Sequence, residues 1–224
     1  RYQIASESSV IVYFGNTIDP LISKEVQKAY QALKANALEG FYEIIPSYAS
    51  LMVSYDVMRY DFHEVCKRIE KIIHHAEEIT MSEPKIVTIP VYYGLEVGLD
   101  LELLAYEKNL SVEEIIALHT QELYSVYAIG FAPGFAYLGE IDERLATSRL
   151  ANPRKVVPKG SVAIADRQSA VYPTQSPGGW KILGRTPTSM FDASYDGLSL
   201  LHVGDQVRYE PISKEEFLRL GGVL

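Results

Sequence analysis

The 224-residue sequence has a single cysteine, Cys66, which excludes an intrachain disulfide and a cysteine-ligated zinc cluster and makes a reducing cytoplasm the natural setting. No stretch approaches the ~18 apolar residues of a membrane span. The opening residues, Arg1 to Ser9, lack the apolar core of a signal peptide, and the missing initiator methionine suggests a trimmed start. Absent too are the phosphate loop G-x-x-x-x-G-K-[ST], the dinucleotide fingerprint G-x-G-x-x-G, the zinc motif H-E-x-x-H and the serine elbow G-x-S-x-G. Familiar self-sufficient catalysts are therefore disfavoured.

Positive charge is scarce overall: 21 Lys and Arg stand against 29 Asp and Glu, a net charge of −8. Such a surface repels a phosphate backbone, so no nucleic-acid partner is expected. The scarcity is uneven. Between Arg144 and Phe191 eight basic residues (Arg144, Arg149, Arg154, Lys155, Lys159, Arg167, Lys181, Arg185) face one acid, Asp166, so this segment carries +7 and the remainder −15. A basic stretch in an acidic chain points to a site for a small anion or an acidic partner surface, or else to a solvated rim.

What is present reads as an ordinary globular chain, 47% hydrophobic and 22% charged, long enough to bury a sizeable core without staples. From Tyr2 to Phe14 the pattern is strand-like, ending at the Gly15-Asn16 turn. Asp19 can cap a helix that Pro20 opens, with Leu21, Ile22, Val26, Ala29, Tyr30, Leu33 and Ala37 at helical spacing and Gly40 as a stop. Strands are expected over Tyr42–Pro46 and Leu51–Tyr55, and a second helix over about Asp61–Ile79, with the stripe Phe62, Val65, Cys66, Ile69, Ile72, Ile73. Two strands, a helix, two strands and a helix make a small α+β sandwich. The polar stretch Glu77–Lys85 reads as a linker, after which a second domain begins near Ile86.

That second domain starts with a strand over Ile86–Tyr93 and helices over Asp100–Lys108 and Ser111–Thr120, the latter opened by the capping box Ser111 with Glu114. Short β-runs follow, divided by Gly and Pro: Tyr124–Ile129, Val162–Ala165, Ala170–Tyr172, Lys181–Leu183, Leu198–Leu201 and Gln206–Tyr209. That pattern is barrel-like. Cys66 lies on its helix's apolar stripe and reads as packing. His74 and His75 point about 100° apart on a helix and cannot easily share a metal, so no metal site is expected. Asn109-Leu110-Ser111 matches a glycosylation sequon, but Ser111 is better used as a helix cap.

Two loops carry the information. Gly130 to Gly139 (Gly-Phe-Ala-Pro-Gly-Phe-Ala-Tyr-Leu-Gly) packs glycines, a proline and aromatics too irregularly for either periodicity and reads as a shaped loop, a pocket wall or a stiff barrel crossover. Ser176-Pro177-Gly178-Gly179-Trp180 can present bare N–H groups to an anion under the only tryptophan. Together with Pro153-Arg154-Lys155-Val156-Val157-Pro158-Lys159-Gly160-Ser161-Val162 and Gly184-Arg185-Thr186-Pro187, these strings resemble the family of the 5-oxoprolinase B subunit, KipI and allophanate hydrolase subunit 1. Segments 14–19, 89–94, 118–119 and 203–208 also look like family segments, in family order. Departures include Gln168-Ser169-Ala170 where the family usually reads Gln-Thr-Gly.

The resemblance implies an α+β protein: a small N-terminal α+β sandwich, ferredoxin-like, over residues 1–80, then a cyclophilin-like β-barrel over residues 86–224. It implies a cytoplasmic subunit, not self-sufficient, of an ATP-dependent 5-oxoprolinase opening 5-oxo-L-proline to L-glutamate, with ATP as co-substrate of the complex. Expected partners are a KipA-type protein (the 5-oxoprolinase C subunit) and a LamB/YcsF-type protein (the 5-oxoprolinase A subunit). The KipI branch implies instead an inhibitor of sporulation histidine kinase autophosphorylation, and a third branch a subunit related to allophanate hydrolase and urea carboxylase. Arg154, Lys159 and Arg185 are expected to neutralise a phosphate or carboxylate, and His119 to move a proton or merely to end its helix. Gln168, Ser169, Tyr172, Gly178, Gly179, Trp180, Phe131, Pro133 and Phe135 are the expected substrate-binding residues.

Overall fold

The computed structural model describes residues 1–36, 38–75, 83–195 and 197–224. Their contacts divide the chain into two compact units, Arg1–Glu83 and Pro84–Leu224.

In the first unit, strands β1 (Tyr2–Ser6) and β2 (Ser9–Tyr13) form a hairpin, α1 (Pro20–Asn36) follows, β3 (Phe41–Ser47) and β4 (Ser50–Tyr55) form a second hairpin, and α2 (Phe62–His75) comes last. The sheet runs β1-β2-β4-β3, each neighbouring pair antiparallel. Period-two alternation sends Val10, Val12, Leu51, Val53 and Tyr55 to one core with Val26, Ala29 and Leu33 of α1 and Val65 and Ile69 of α2. A ferredoxin-like unit reads βαββαβ; here the order is ββαββα, and β1 forms the edge beside β2.

Asp19 accepts the backbone N–H of Leu21 at 2.7 Å, and Pro20 is the first helical residue. Leu21 departs from the expected stripe and is 75% exposed. It lies five residues, about 140° of rotation, from the buried Val26. The whole expected stripe of α2 joins the core, Cys66 included. Ala37, Glu77, Glu78 and the expected end of the second helix at Ile79 lie outside the described residues.

The second unit contains β5 (Ile86–Val91), α3 (Leu101–Lys108), α4 (Val112–Thr120), β6 (Tyr124–Ile129), β7 (Ala136–Gly139), β8 (Arg154–Val157), β9 (Ser161–Ala165), β10 (Gln168–Val171), β11 (Ser176–Gly178), β12 (Lys181–Arg185), β13 (Gln206–Pro211) and α5 (Lys214–Arg219). Seven strands make one sheet in the order β12-β9-β10-β7-β6-β13-β5, with β13 and β5 parallel. Just past β5, Tyr92 donates to the Arg185 carbonyl at 2.8 Å and accepts from the Arg185 N–H at 2.9 Å. That bridge links the two outer strands and nearly closes the sheet into a barrel. Strands β8 and β11 form a separate ribbon. Among the described residues no helix is long and apolar enough to cross a membrane.

Ser111 Oγ accepts from the Glu114 N–H while the Glu114 carboxylate accepts from the Ser111 N–H, so the capping box forms and occupies the serine of Asn109-Leu110-Ser111. Three expectations change. Ser176–Gly178 of the expected loop Ser176–Trp180 is strand β11, paired antiparallel with β8. Part of the expected loop 130–139 is strand β7: Leu138 joins the main core and Tyr137 the opposite cluster, an alternation hidden by the glycines around it. The expected strand Leu198–Leu201 is reduced to one bridge, Phe191 with Ser199, because Gly197 and Leu198 sit at φ of 68° and 67°, which interrupts extended backbone.

Gly160 turns the chain into β9 at φ 80°, and a Cβ there would collide with the Thr186 carbonyl oxygen. Gly160→Ala is expected to cost roughly 2–3 kcal/mol, from left-handed strain plus overpacking. Chemical denaturation of the two proteins, compared at equal slope, measures it.

Candidate functional site

Alternate residues of β9, β10 and β12 separate onto the two faces of the sheet. Val162, Ile164, Val171 and Leu183 join the main core with Leu101 and Leu104 of α3 and Ile115 of α4, while Ala163, Ala165, Ala170 and Ile182 face a second cluster. Three alanines leave room on that face for large rings, and Phe135, Tyr172 and Trp180 fill it. Phe135 is the hub: its ring meets Tyr137 at 4.9 Å, Tyr172 at 5.4 Å and Trp180 at 5.9 Å, all edge to face, the arrangement that ring quadrupoles favour. The Arg149 guanidinium lies 5.9 Å from the Trp180 ring, a cation–π contact. Burial pushes the Tyr172 phenol up, and the backbone hydrogen bond with Trp180, then the Arg149 charge, pull the other way.

The structure thus gathers Phe135, Tyr172, Gly178, Gly179 and Trp180 from motifs far apart in sequence. A side chain at Gly178 would strike the Tyr172 hydroxyl, and the position a Cβ would take at Gly179 lies 3.5 Å from Pro153. Close packing therefore accounts for Gly178, whereas a Cβ at Gly179 would meet only ordinary van der Waals contact. Phe131 and Pro133 form the rim rather than the floor: Phe131, at φ 71°, is 67% exposed and meets Phe135 edge-on at 5.3 Å. Gln168 is half-buried on β10, at the position opposite Gly139.

His119 and Ser169 lie elsewhere. His119 is fully buried and stacks on Tyr209 at 4.6 Å. Its Nδ1 is 2.8 Å from the Tyr93 hydroxyl and its Nε2 3.1 Å from Ser169 Oγ, which in turn is 3.1 Å from the Tyr209 hydroxyl. One proton arrangement satisfies the set. Tyr93 donates to Nδ1, Nε2–H and Tyr209 donate to Ser169, and Ser169 donates to the Ala163 carbonyl. Desolvation lowers the His119 pKa to about 3, so the ring is neutral at pH 7. The network joins α4 to the sheet and keeps this histidine away from solvent.

The basic segment is also reassigned. Arg154 forms a bidentate pair with Asp100, Nη1 to Oδ2 at 2.9 Å and Nη2 to Oδ1 at 2.7 Å, and Asp100 is 2% exposed. Asp100 Oδ2 also accepts from the Ile182 N–H at 2.8 Å. Lys181 pairs with Glu107 and donates to Thr147, Arg167 pairs with Glu140, and Arg144 with Asp142. Four of the eight cations are thus neutralised by acids, every one of them from before Arg144, and the fork of Arg154 is already engaged. Lys159 is exposed, and Arg185 donates from Nη1 to the Val223 carbonyl.

The residues missed from sequence are Asp100, Glu107, Tyr93 and Tyr209. Asp100 reads locally as a helix cap, yet it makes no side-chain cap bond, and its partners are 54 and 82 positions away. The described part of the N-terminal unit has an open cavity of about 770 Å³, lined in part by Phe14, Gly15, Asn16, Thr17 and Tyr48. Arg1 is the charged side chain in its lining, which offers no acid–base pair.

A family model described as carboxyltransferase domain, subdomain C and D, matches residues 1–201. The 5-oxoprolinase B subunit of Bacillus subtilis (strain 168) is 37% identical over 97% of this chain and 95% of its own length. The protein of the same name from Escherichia coli O157:H7 is 35% identical over 94% and 95%. The solved structure of TTHA0988 superposes with a TM-score of 0.80 at 31% identity over 92% of this chain, which spans 40% of that longer one.

Proposed function

Because the chain belongs to the carboxyltransferase subdomain C and D family and matches the 5-oxoprolinase B subunit nearly end to end, we propose that it is the B-type subunit of a 5-oxoprolinase. The reaction is the opening of 5-oxo-L-proline by water to L-glutamate, with ATP as co-substrate. A five-membered lactam is a resonance-stabilised amide, and water attacks it slowly until its carbonyl oxygen becomes a leaving group, as phosphorylation by ATP makes it. Negative charge that gathers on that oxygen needs oriented donors. The single observation that carries the reading is the end-to-end match to the curated relatives.

The site supports a shared reaction rather than a self-sufficient one. The expected proton carrier, His119, is enclosed in the core, and the expected anion fork, Arg154, is held by Asp100. The aromatic cluster remains, with Phe131 and Pro133 at its edge and Arg149 beside Trp180. It suits an interface, where aromatic anchors dominate binding. KipA-type and LamB/YcsF-type proteins are the partners of this reading. We read the barrel as cyclophilin-like and the N-terminal unit as ferredoxin-like, with its edge strand supplied first.

The test is ATP-dependent release of glutamate from 5-oxo-L-proline by the companion subunits with and without this chain. Activity that needs all components is the expected result. Full activity without the chain would overturn the reading and favour the regulatory one, in which the exposed aromatic edge docks on a histidine kinase.

A further inference from the structure

Among the described residues, Arg185 is the one cation of the basic segment that the fold buries without a carboxylate partner. It is 8% exposed; Nη1 donates to the Val223 carbonyl at 2.8 Å, and Nε has no hydrogen-bond partner. Desolvation pulls its pKa down. Directly opposite Arg185 in the β9–β12 register stands Ser161, fully buried, with its Oγ also without a partner. Residues directly opposite on antiparallel strands share a face, with Cβ atoms about 5 Å apart. Two orphaned polar groups, one cationic, therefore lie side by side, each a cost to the fold unless something meets it.

The backbone holds this corner firmly. Gly160 donates to the Tyr172 carbonyl at 2.8 Å, and Thr186 donates to the Gly160 carbonyl at 2.9 Å, which brings the Lys159-Gly160-Ser161 and Arg185-Thr186 motifs together. The bare Cα of Gly160 leaves room for the Arg185 stem: a Cβ there would sit 3.3 Å from Arg185 Cγ. Lys159, exposed and next in the chain, adds a second positive charge. The acid that senses Lys159 is Asp192, whose carboxyl is lowered first by hydrogen bonds from Ser194 and last by this lysine.

We propose that Arg185 and Ser161, with Lys159 at the rim, form a subsite for a small oxyanion, a carboxylate or a phosphate. The Val223 carbonyl stands where one anionic oxygen would stand. A guanidinium offers parallel N–H donors that match two oxygens of one anion, and the Ser161 hydroxyl supplies a third donor. Displacing Val223 gives up one charge-assisted hydrogen bond to a neutral carbonyl, which an anionic oxygen replaces with an ion pair, and the Val223 and Leu224 side chains are already exposed. The subsite is a property of the chain by itself and stands or falls separately from the reading of the complex.

Calorimetric titration of the full chain at constant ionic strength tests it, with inorganic phosphate in one arm and 5-oxo-L-proline in the other. Saturable binding in either arm is expected, weaker by about tenfold or more in Lys159→Ala and Ser161→Ala, as loss of a charge-assisted donor implies. Phosphate alone binding identifies a phosphoryl subsite, and 5-oxo-L-proline alone a carboxylate subsite. Because the Ser161 hydroxyl has no partner in the free protein, Ser161→Ala is also expected to keep or raise Tm while diminishing the anion-induced rise at a given anion concentration. Absence of saturable binding in both arms, or binding undiminished in these two variants, would overturn the proposal.

Discussion

Asp100→Ala is expected to destabilise the barrel unit by about 3–5 kcal/mol, the cost of removing one partner from a buried ion pair and leaving the other charge unmatched. Asp100 meets three donors from two places in the chain: both terminal nitrogens of Arg154 and the Ile182 N–H. Its loss strands the N–H of a buried β12 residue as well as a guanidinium that is about one-quarter exposed. Against a total stability of roughly 5–15 kcal/mol for an ordinary domain, such a loss consumes a large share. Urea unfolding followed by tryptophan fluorescence reads it directly, since Trp180 belongs to the second unit. Arg154→Ala is expected to cost less than Asp100→Ala, because the carboxylate left behind keeps its bond from Ile182. If the Asp100 variant unfolds within about 1 kcal/mol of the parent, the pair is not the clamp that its geometry indicates.

Acid is expected to destabilise the same unit through His119. The folded-state pKa is lowered by burial from 6.5 to about 3, so between these values the unfolded chain binds a proton that the folded one does not. Stability from the neutral ring is fully present above about pH 6.5 and falls as pH drops toward 3. Between pH 6.5 and 4 the loss is about 3 kcal/mol. His119→Gln removes the titrating group, and its stability is expected to be lower than the parent's at pH 7 but flatter between pH 6.5 and 4. The neutral-pH deficit arises because the Tyr93 hydroxyl and Ser169 lose matched partners, at about 1–3 kcal/mol for each group left unsatisfied in the core. Unfolding curves at several pH values decide the matter: an unchanged acid slope in His119→Gln would assign it to other groups.

His119 also shows how a local reading misleads. A histidine in the last turn of a helix reads as a favourable helix-end charge or a proton carrier, and both readings assume that solvent reaches it. Contacts with Tyr93, Ser169 and Tyr209, 26, 50 and 90 residues away, make it a neutral core residue. Arg154 and the basic segment went the same way. Net charge along the chain counts neighbours in sequence, whereas Asp100 and Glu107 lie on and beside α3 and reach Arg154 and Lys181 only when the helix packs against the sheet.

The sequence by itself determined the linear grammar: Asp19-Pro20 opening α1, the apolar stripe of α2, the Ser111–Glu114 capping box, and the short β-runs divided by Gly and Pro that begin after the second of the two mid-chain helices, near residue 122. These are local, depending on residues within one or two turns or on period-two alternation. The motif strings alone also carried the family. Tertiary structure decided which of those motifs meet and what they are free to do. It gathered Phe135, Tyr172 and Trp180 around small alanines, engaged Arg154 with Asp100, enclosed His119, and set Arg185 beside Ser161 with donors to spare. The physical reason is that a charge or a hydrogen-bond donor is defined by its partner, and for His119 and Asp100 the partners lie 26 to 82 residues away, brought within bonding distance by a nearly closed sheet.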